Sequence, residues 1–400
     1  MTTYQAPPSR PRADTTAAAA VPGSPSALPP VTAEHHRAGL AALAGLLRRC
    51  GFDAPRAARL LRARDPEHLL SNPARYAFFG DRDRPAPDIA PTAVLTSLFL
   101  LNRPVPADWV RRALPAELTG LLRELALVER ADDDLRATLS LTPYRSRYFL
   151  SDQLFTNPAP QQVVARSVAE LVMPPHASSL LALQGVDHLT GSLLDAGCGS
   201  GFLALSRRTD GPAAGFDLNP RAVAFSRANA ALNGSAARFE TAGLAADASG
   251  PGSLLAEGRY DHLVFNSPTV PRIDGDAGEF GQSTARHALT LTADTAGHLL
   301  RPGGTAHVLT VIEVPESRSA EDVVRGWLGD SGPADVTVRE LSTPYLSVTP
   351  RQLREGRLGG QNLFAEGPAH ARRLLAALTA RGTHAVVPVL VTLGLPAERN

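Results

Sequence analysis

The segment Leu194-Asp195-Ala196-Gly197-Cys198-Gly199-Ser200-Gly201-Phe202 constrains this 400-residue chain more than any other. Glycines at alternate positions, between two apolar runs, describe a tight strand-to-helix turn whose backbone can approach a ligand without intervening Cβ atoms. A dinucleotide-binding loop carries its third glycine one residue later, where Phe202 stands. A carboxylate two residues before the first glycine would also lie badly beside a pyrophosphate. Asp195 in that place suits a cationic ligand instead. From here the chain alternates strand, turn and helix. Strands are expected at 192–195, 213–217, 238–241, 262–266 and 306–313, and helices at 201–208, 220–233 and 283–300. A helix at 368–381 and a very apolar strand at 385–393 close the pattern. This rhythm predicts an α/β fold, a doubly wound Rossmann-like sheet whose last strand is free to lie antiparallel.

Asp217 is a second acid, at the end of the next strand in Gly215-Phe216-Asp217-Leu218-Asn219-Pro220. A carboxylate there can accept hydrogen bonds from both hydroxyls of a ribose. LLDAGCGSG, FDLNPRAVAFSRANAALNG and YDHLVFNSP together resemble class I S-adenosylmethionine-dependent methyltransferases. Within them the text is most similar to the group containing the release-factor glutamine and adenine-N6 methyltransferases. The resemblance implies S-adenosylmethionine as cofactor, a cation with no phosphate. It implies that Asp195, Gly197, Cys198, Gly199 and Gly201 surround the methionine part and that Asp217 holds the ribose. Leu218 and Asn219 would then lie beside the adenine. Relatives often carry an acid near the adenine amine; this chain reads Glu240-Thr241-Ala242-Gly243, with Thr241 and Ala242 as candidate contacts.

In the relatives the loop after the fourth strand reads Asn-Pro-Pro-aromatic, and its Asn and a backbone carbonyl accept hydrogen bonds from the target NH₂. Here it reads Asn266-Ser267-Pro268-Thr269. Asn266 is the candidate catalytic residue, in contact with cofactor or acceptor. Ser267, Pro268 and Thr269 are candidate acceptor contacts, although Thr269 cannot stack as a ring would. Positioning alone can suffice for an amine nucleophile, whereas a hydroxyl or carbon acid calls for a base. His176 and His287 are the candidates for that base, and Tyr148 is a candidate wall of the acceptor pocket. The stretch 271–282, rich in Gly and Asp, suits a lid.

Residues 1–34 read as a disordered Pro, Ala, Ser and Thr-rich tail. Residues 35–150 read as mostly helical: Leu40, Leu43, Leu46 and Leu47 share a helix face. Three compact elements at 92–101, 107–113 and 116–126 precede a hairpin around Asp132–Asp134, which is winged-helix order. That module would cover substrate, bind DNA or form a homodimer, and residues 151–400 would be the catalytic domain.

All 40 basic residues are arginine; there is no lysine. Schiff-base, pyridoxal-phosphate and P-loop chemistry are thereby excluded, since each needs a Lys. Two cysteines, Cys50 and Cys198, exclude a disulfide framework or a cysteine-rich metal site, and no metal is expected. No apolar run approaches a membrane span, and the first residues lack a signal peptide's apolar core, so a cytoplasmic setting is expected. Residues 1–150 hold 20 Arg against 15 acids, and residues 151–400 hold 20 against 24. The acidic half carries the glycine loop, which argues for a small-molecule acceptor and against nucleic acid. The alternatives are methylation of RNA, DNA or a protein glutamine, and a regulator that binds the cofactor without catalysis.

Overall fold

Leucines at helical spacing organise the first third of the protein. The structure is a computed structural model that describes residues 28–79, 90–157, 164–165, 171–208, 211–244, 253–257, 259–267, 282–329, 335–358 and 368–397. In α1 (Arg37–Arg49) the side chains of Leu40, Leu43 and Leu47 are buried on one face. Next come α2 (Ala54–Leu60) and α3 (Pro66–Ser71), each started by an aspartate whose carboxylate accepts a first-turn N–H: Asp53 from Arg56, Asp65 from His68. The chain continues with α4 (Pro73–Phe79), α5 (Pro91–Phe99), β1 (Val105–Pro106), α6 (Ala107–Ala113), α7 (Ala116–Glu124), β2 (Val128–Ala131) and β3 (Asp134–Ala137). The expected helices and hairpin are present. β1, too short to be marked by periodicity, pairs with β3 and completes a three-stranded antiparallel sheet in the order β1-β3-β2. The likeness to a winged helix is one of element order.

The last residues of the tail expected at 1–34 are structured. Pro30–Thr32 and Glu34–His36 form two short 3-10 turns, because Val31 finds a buried seat at 1% exposure. Residues 1–27 lie outside the described residues.

A second hairpin, β4 (Ser140–Tyr144) and β5 (Arg147–Ser151), and a small pair, β6 (Phe155–Thr156) and β7 (Val164–Ala165), follow. Then come α8 (Ala177–Val186), β8 (Leu193–Ala196), α9 (Phe202–Ser206), β9 (Ala213–Asp217), α10 (Pro220–Leu232), β10 (Arg238–Thr241), α11 (Leu254–Glu257) and β11 (Tyr260–Asn266). The chain ends with α12 (Gln282–Leu299), β12 (Leu300–Pro315), α13 (Ala320–Leu328), β13 (Asp335–Glu340), α14 (Pro350–Glu355), α15 (Pro368–Ala380) and β14 (Thr383–Gly394).

Seven strands form one sheet in the order β10-β9-β8-β11-β12-β14-β13. β14 runs antiparallel to both its neighbours, and the other described pairs are parallel. β9 and β10 step to one side of β8, and β11 and β12 to the other, so the order reverses between β8 and β11. Ligands of open α/β sheets bind beyond the carboxyl ends of the strands at such a reversal. The core lies on both faces: Val264 and Leu309 pack on one side, Leu263, Val308 and Ile312 on the other, all fully buried. A buried side chain of that size contributes about 1.5–3 kcal/mol.

The helical part is locked to the sheet by polar bonds as well as apolar ones. Asn229 of α10 accepts from the Leu150 N–H at 2.7 Å and donates Nδ2 to the Leu150 carbonyl at 2.9 Å. Asn233, one turn on, does the same to Tyr148. The two amides continue the hydrogen bonding of β5 as a strand would. Arg221 of α10 forks onto buried Asp152.

Candidate active site

The glycine loop starts at the carboxyl end of β8. Gly197, Gly199 and Gly201 have φ of 62°, 54° and 76°, the left-handed region that a Cβ disfavours. A side chain on Gly201 would press on Ser226 and Phe239, whereas one on Gly199 would enter open space. Gly199 is therefore where the backbone faces a vacant volume.

Asp195 lies beneath this loop at 1% exposure, its Oδ2 accepting the Ala204 N–H at 3.1 Å. Burial pushes its carboxyl up to about 8, with the negative charge of Asp217 adding to the effect. Asp217 ends β9 and accepts from the N–H groups of Gly199 and Asn219, each at 2.9 Å. Burial raises its carboxyl, and those two bonds oppose the rise. Cys198 turns its thiol to Ser226 of α10, 3.4 Å away, so only its backbone belongs to the loop; burial drives the thiol well up and leaves it unreactive.

Beyond Asp217 the structure separates the candidates. Leu218 is 78% exposed, and its side chain lies over Gly243, where a Cβ would come within 2.7 Å of it. The Ala242 N–H donates to the Asp217 carbonyl at 3.1 Å, and Thr241 is exposed at the end of β10. Asn219 caps α10, its Oδ1 accepting the Arg221 N–H. Glu240 is turned elsewhere: its carboxylate accepts from Ser253 Oγ and the Leu254 N–H, both at 2.8 Å.

Asn266 ends β11 on the same rim. Its Nδ2 donates to Ser178 Oγ at 3.3 Å, and its Oδ1 is buried with no partner among the described residues. Ser267 hangs its N–H on the Leu309 carbonyl and leaves a buried Oγ, also without a partner among the described residues. His176 stands at the start of α8, two residues before Ser178. Burial pushes its ring down to about 4, and its buried Nδ1 has no partner among the described residues. Pro268, Thr269 and all but the last residue of the lid expected at 271–282 lie outside the described residues, and Gln282 begins α12.

Two expectations are corrected. Tyr148 does not line an acceptor pocket. At 3% exposure it stacks on Phe52, donates its hydroxyl to the Phe52 carbonyl at 3.0 Å, and has its phenol raised to about 12 by burial. It anchors β5 to the helical part. His287 sits on the exposed face of α12, because Ala285, Ala288 and Leu289 take the buried face. Ser178, which orients Asn266, was not marked by the sequence; its position just inside a helix start is its only local signal.

Known proteins resemble this arrangement. The family model "Ribosomal protein L11 methyltransferase (PrmA)" matches residues 175–266, from the turn before α8 through Asn266. A domain of unknown function, DUF7059, matches residues 57–138. The ribosomal protein L11 methyltransferase of Thiobacillus denitrificans is 28% identical over 270 residues, covering 64% of this chain and 80% of that one. The release factor glutamine methyltransferase of Deinococcus radiodurans is 34% identical over 166 residues, 37% of this chain and 55% of that one. This chain is a class I S-adenosylmethionine-dependent methyltransferase. Among solved structures, a geranyl diphosphate methyltransferase in complex with GPP and sinefungin aligns at TM-score 0.34 and 14% identity, over 54% of this methyltransferase and 76% of that chain. An M. jannaschii tRNA m1G37 methyltransferase aligns at TM-score 0.33 and 9% identity, over 66% and 61%.

The site of this methyltransferase fits S-adenosylmethionine. Asp195 is a buried carboxyl with one backbone donor, so a cationic ligand would restore its ionised form. Asp217 at the end of β9 would accept from a ribose, the exposed Leu218 side chain would flank an adenine, and open space faces Gly199. No carboxylate among the described residues of 240–243 is left for the adenine edge, since Glu240 is occupied. No described group of His, Cys, Asp or Glu could hold a metal, and no described helix is long and apolar enough to cross a membrane.

Proposed function

We propose that this enzyme methylates a nitrogen atom of a small-molecule acceptor, with Asn266 receiving that nitrogen's N–H. One observation carries the reading: the Asn266 amide is oriented by Ser178, and its Oδ1 is left buried without a partner among the described residues. A buried acceptor of that kind costs about 1–3 kcal/mol until something donates to it. An acceptor N–H would supply the missing bond and hold the nitrogen lone pair in line. Ser267 Oγ, the adjacent orphan, would take a second polar contact.

S-adenosylmethionine supplies an activated methyl group when bound. The chain's task is then alignment, for which well-oriented groups contribute about 7–11 kcal/mol. A general base is not part of this reading. Burial opposes protonation of His176, and His287 is exposed on α12.

The excess of acids in residues 151–400 supports a small acceptor over nucleic acid. A protein side-chain nitrogen is the second reading, favoured by the names of the two relatives above. Replacement of Asn266 by Ala should lower turnover about 100-fold, as expected for an interaction made chiefly in the transition state, with cofactor affinity within about twofold. Unchanged turnover would remove its role. Labelled methyl from the cofactor, offered with fractionated cell extract, should appear in the small-molecule fraction. Label confined to protein would establish the second reading.

A further inference from the structure

At the opposite end of the sheet from the glycine loop, where β9, β10 and β11 begin, lies a cavity of about 500 Å³. Arg147 from β5, Arg207 and Arg208 from the end of α9, and Arg238 from β10 line it, and none of its described lining residues is acidic. Ala213, Ala236 and Ala237 leave the guanidinium groups uncrowded.

Arg147 is the informative member. It is half-buried, and its side chain has no hydrogen bond or ion pair among the described residues. Burial lowers its guanidinium with no acid opposing the shift. A desolvated cation without a partner is costly and is normally matched by an anion. Arg207 is committed to the protein, donating to the carbonyls of Gly191 at 2.8 Å and Gly211 at 3.3 Å. Arg208 uses Nε on Asp187 at 3.2 Å and is otherwise exposed. An arginine has five N–H donors, so Arg147 and Arg208 retain donors suited to a tetrahedral oxyanion.

An adjoining cavity of about 510 Å³ shares the wall formed by Ser235, Ala236, Ala237 and Arg238. It differs in charge. Arg37 there pairs with Glu34, Arg227 forks onto the Phe239 carbonyl, and Glu240 also faces it. Its cations are already matched, which singles out the first cavity.

We propose that the cavity around Arg147 is a binding site for a phosphate group, separate from the methyl-transfer site and at the opposite end of the strands. Its volume is that of a small-ligand pocket. Two sources share this chemistry, free phosphate and the phosphate of a small phosphomonoester.

The test is thermal unfolding of the full chain in phosphate against chloride at equal ionic strength. Phosphate should raise Tm more than chloride does. R147M should remove that difference and, having lost an unpaired buried charge, should be no less stable than the parent without phosphate. R37M, in the neighbouring cavity, should keep the phosphate response. R147K, which retains the charge without the fork, should bind phosphate at least tenfold more weakly, and serves if R147M does not fold. Equal Tm in the two salts, or a response that survives R147M, overturns the proposal. Calorimetry with phosphate and with ribose 5-phosphate separates the sources: equal affinity assigns the free ion, and a tenfold gain assigns the ester.

Discussion

Asp217 and Gly199 are joined by a 2.9 Å hydrogen bond from the glycine's N–H to the aspartate's Oδ2. The bond makes the acid that would hold the ribose also a support for the glycine loop. Asp217→Ala should therefore weaken S-adenosylmethionine binding on two counts, loss of the ribose acceptor and loosening of the loop. Hydrogen bonds to charged groups are worth about 1.5–3 kcal/mol, so calorimetry should show affinity reduced roughly 10- to 100-fold. Unchanged affinity would separate Asp217 from the cofactor.

Asp195 should make cofactor affinity depend on pH. Its carboxyl is raised to about 8 in the free protein, while the ionised form is the one that attracts a cation. Binding below that pH must release a proton, so affinity should climb by up to about tenfold per pH unit toward pH 8 and then level. Asp195→Asn should flatten this limb. The linkage for folding has the opposite sense. Between the ordinary carboxylate range and about 8 the folded state holds a proton that the unfolded state has lost, so this group's contribution to stability falls as pH rises through that window. Denaturation midpoints of the free protein across the window would check the sign.

Asn229 is predicted to be a stability hot spot. Its amide serves the Leu150 N–H, the Leu150 carbonyl and the Ser200 carbonyl at 2.7, 2.9 and 2.8 Å. Truncation to Ala would leave buried backbone groups unpaired, at about 1–3 kcal/mol each. A loss of at least about 3 kcal/mol in urea unfolding is expected. Asn233→Ala, whose bonds are only partly buried, should cost less.

Arg221 and Asp152 form a buried pair, and Asp152 also accepts the Val172 N–H at 2.9 Å. Arg221→Met would strand a buried carboxylate and should destabilise by about 3–5 kcal/mol. Adding Asp152→Asn, which removes the stranded charge, should recover a substantial part. Additive losses in the double variant would show that the two groups are not coupled.

Much of this protein was legible from local pattern. The glycine loop, both acids, Asn266 and the strands 213–217 and 238–241 lie where the sequence puts them, because each follows from residues near in sequence: Gly for a left-handed turn, an acid at a strand end, an apolar run between turns. The second crossover was not legible. α13, β13 and α14 went unmarked, although Ser319 and Thr349 each build a reciprocal cap at a helix start. β13 reads Asp335-Val336-Thr337-Val338-Arg339-Glu340, an edge strand with one buried residue, and so carries little hydrophobic signal.

By itself the sequence determined the strands and helices around the glycine loop, the cofactor class and the absence of lysine chemistry, all properties of residue type and short spacing. The tertiary structure alone decided which polar groups are spent and which are left over. Tyr148, Glu240 and Asn219 are satisfied by neighbours on other elements or by a helix start, while Asn266 Oδ1 and Ser267 Oγ find no partner among the described residues. Arg147 is unpaired because β5, α9 and β10 converge on it without an acid among the described residues, a fact of packing across nearly a hundred residues of chain. Satisfaction of a buried group depends on partners far away in sequence, and only the assembled fold brings them within bonding distance.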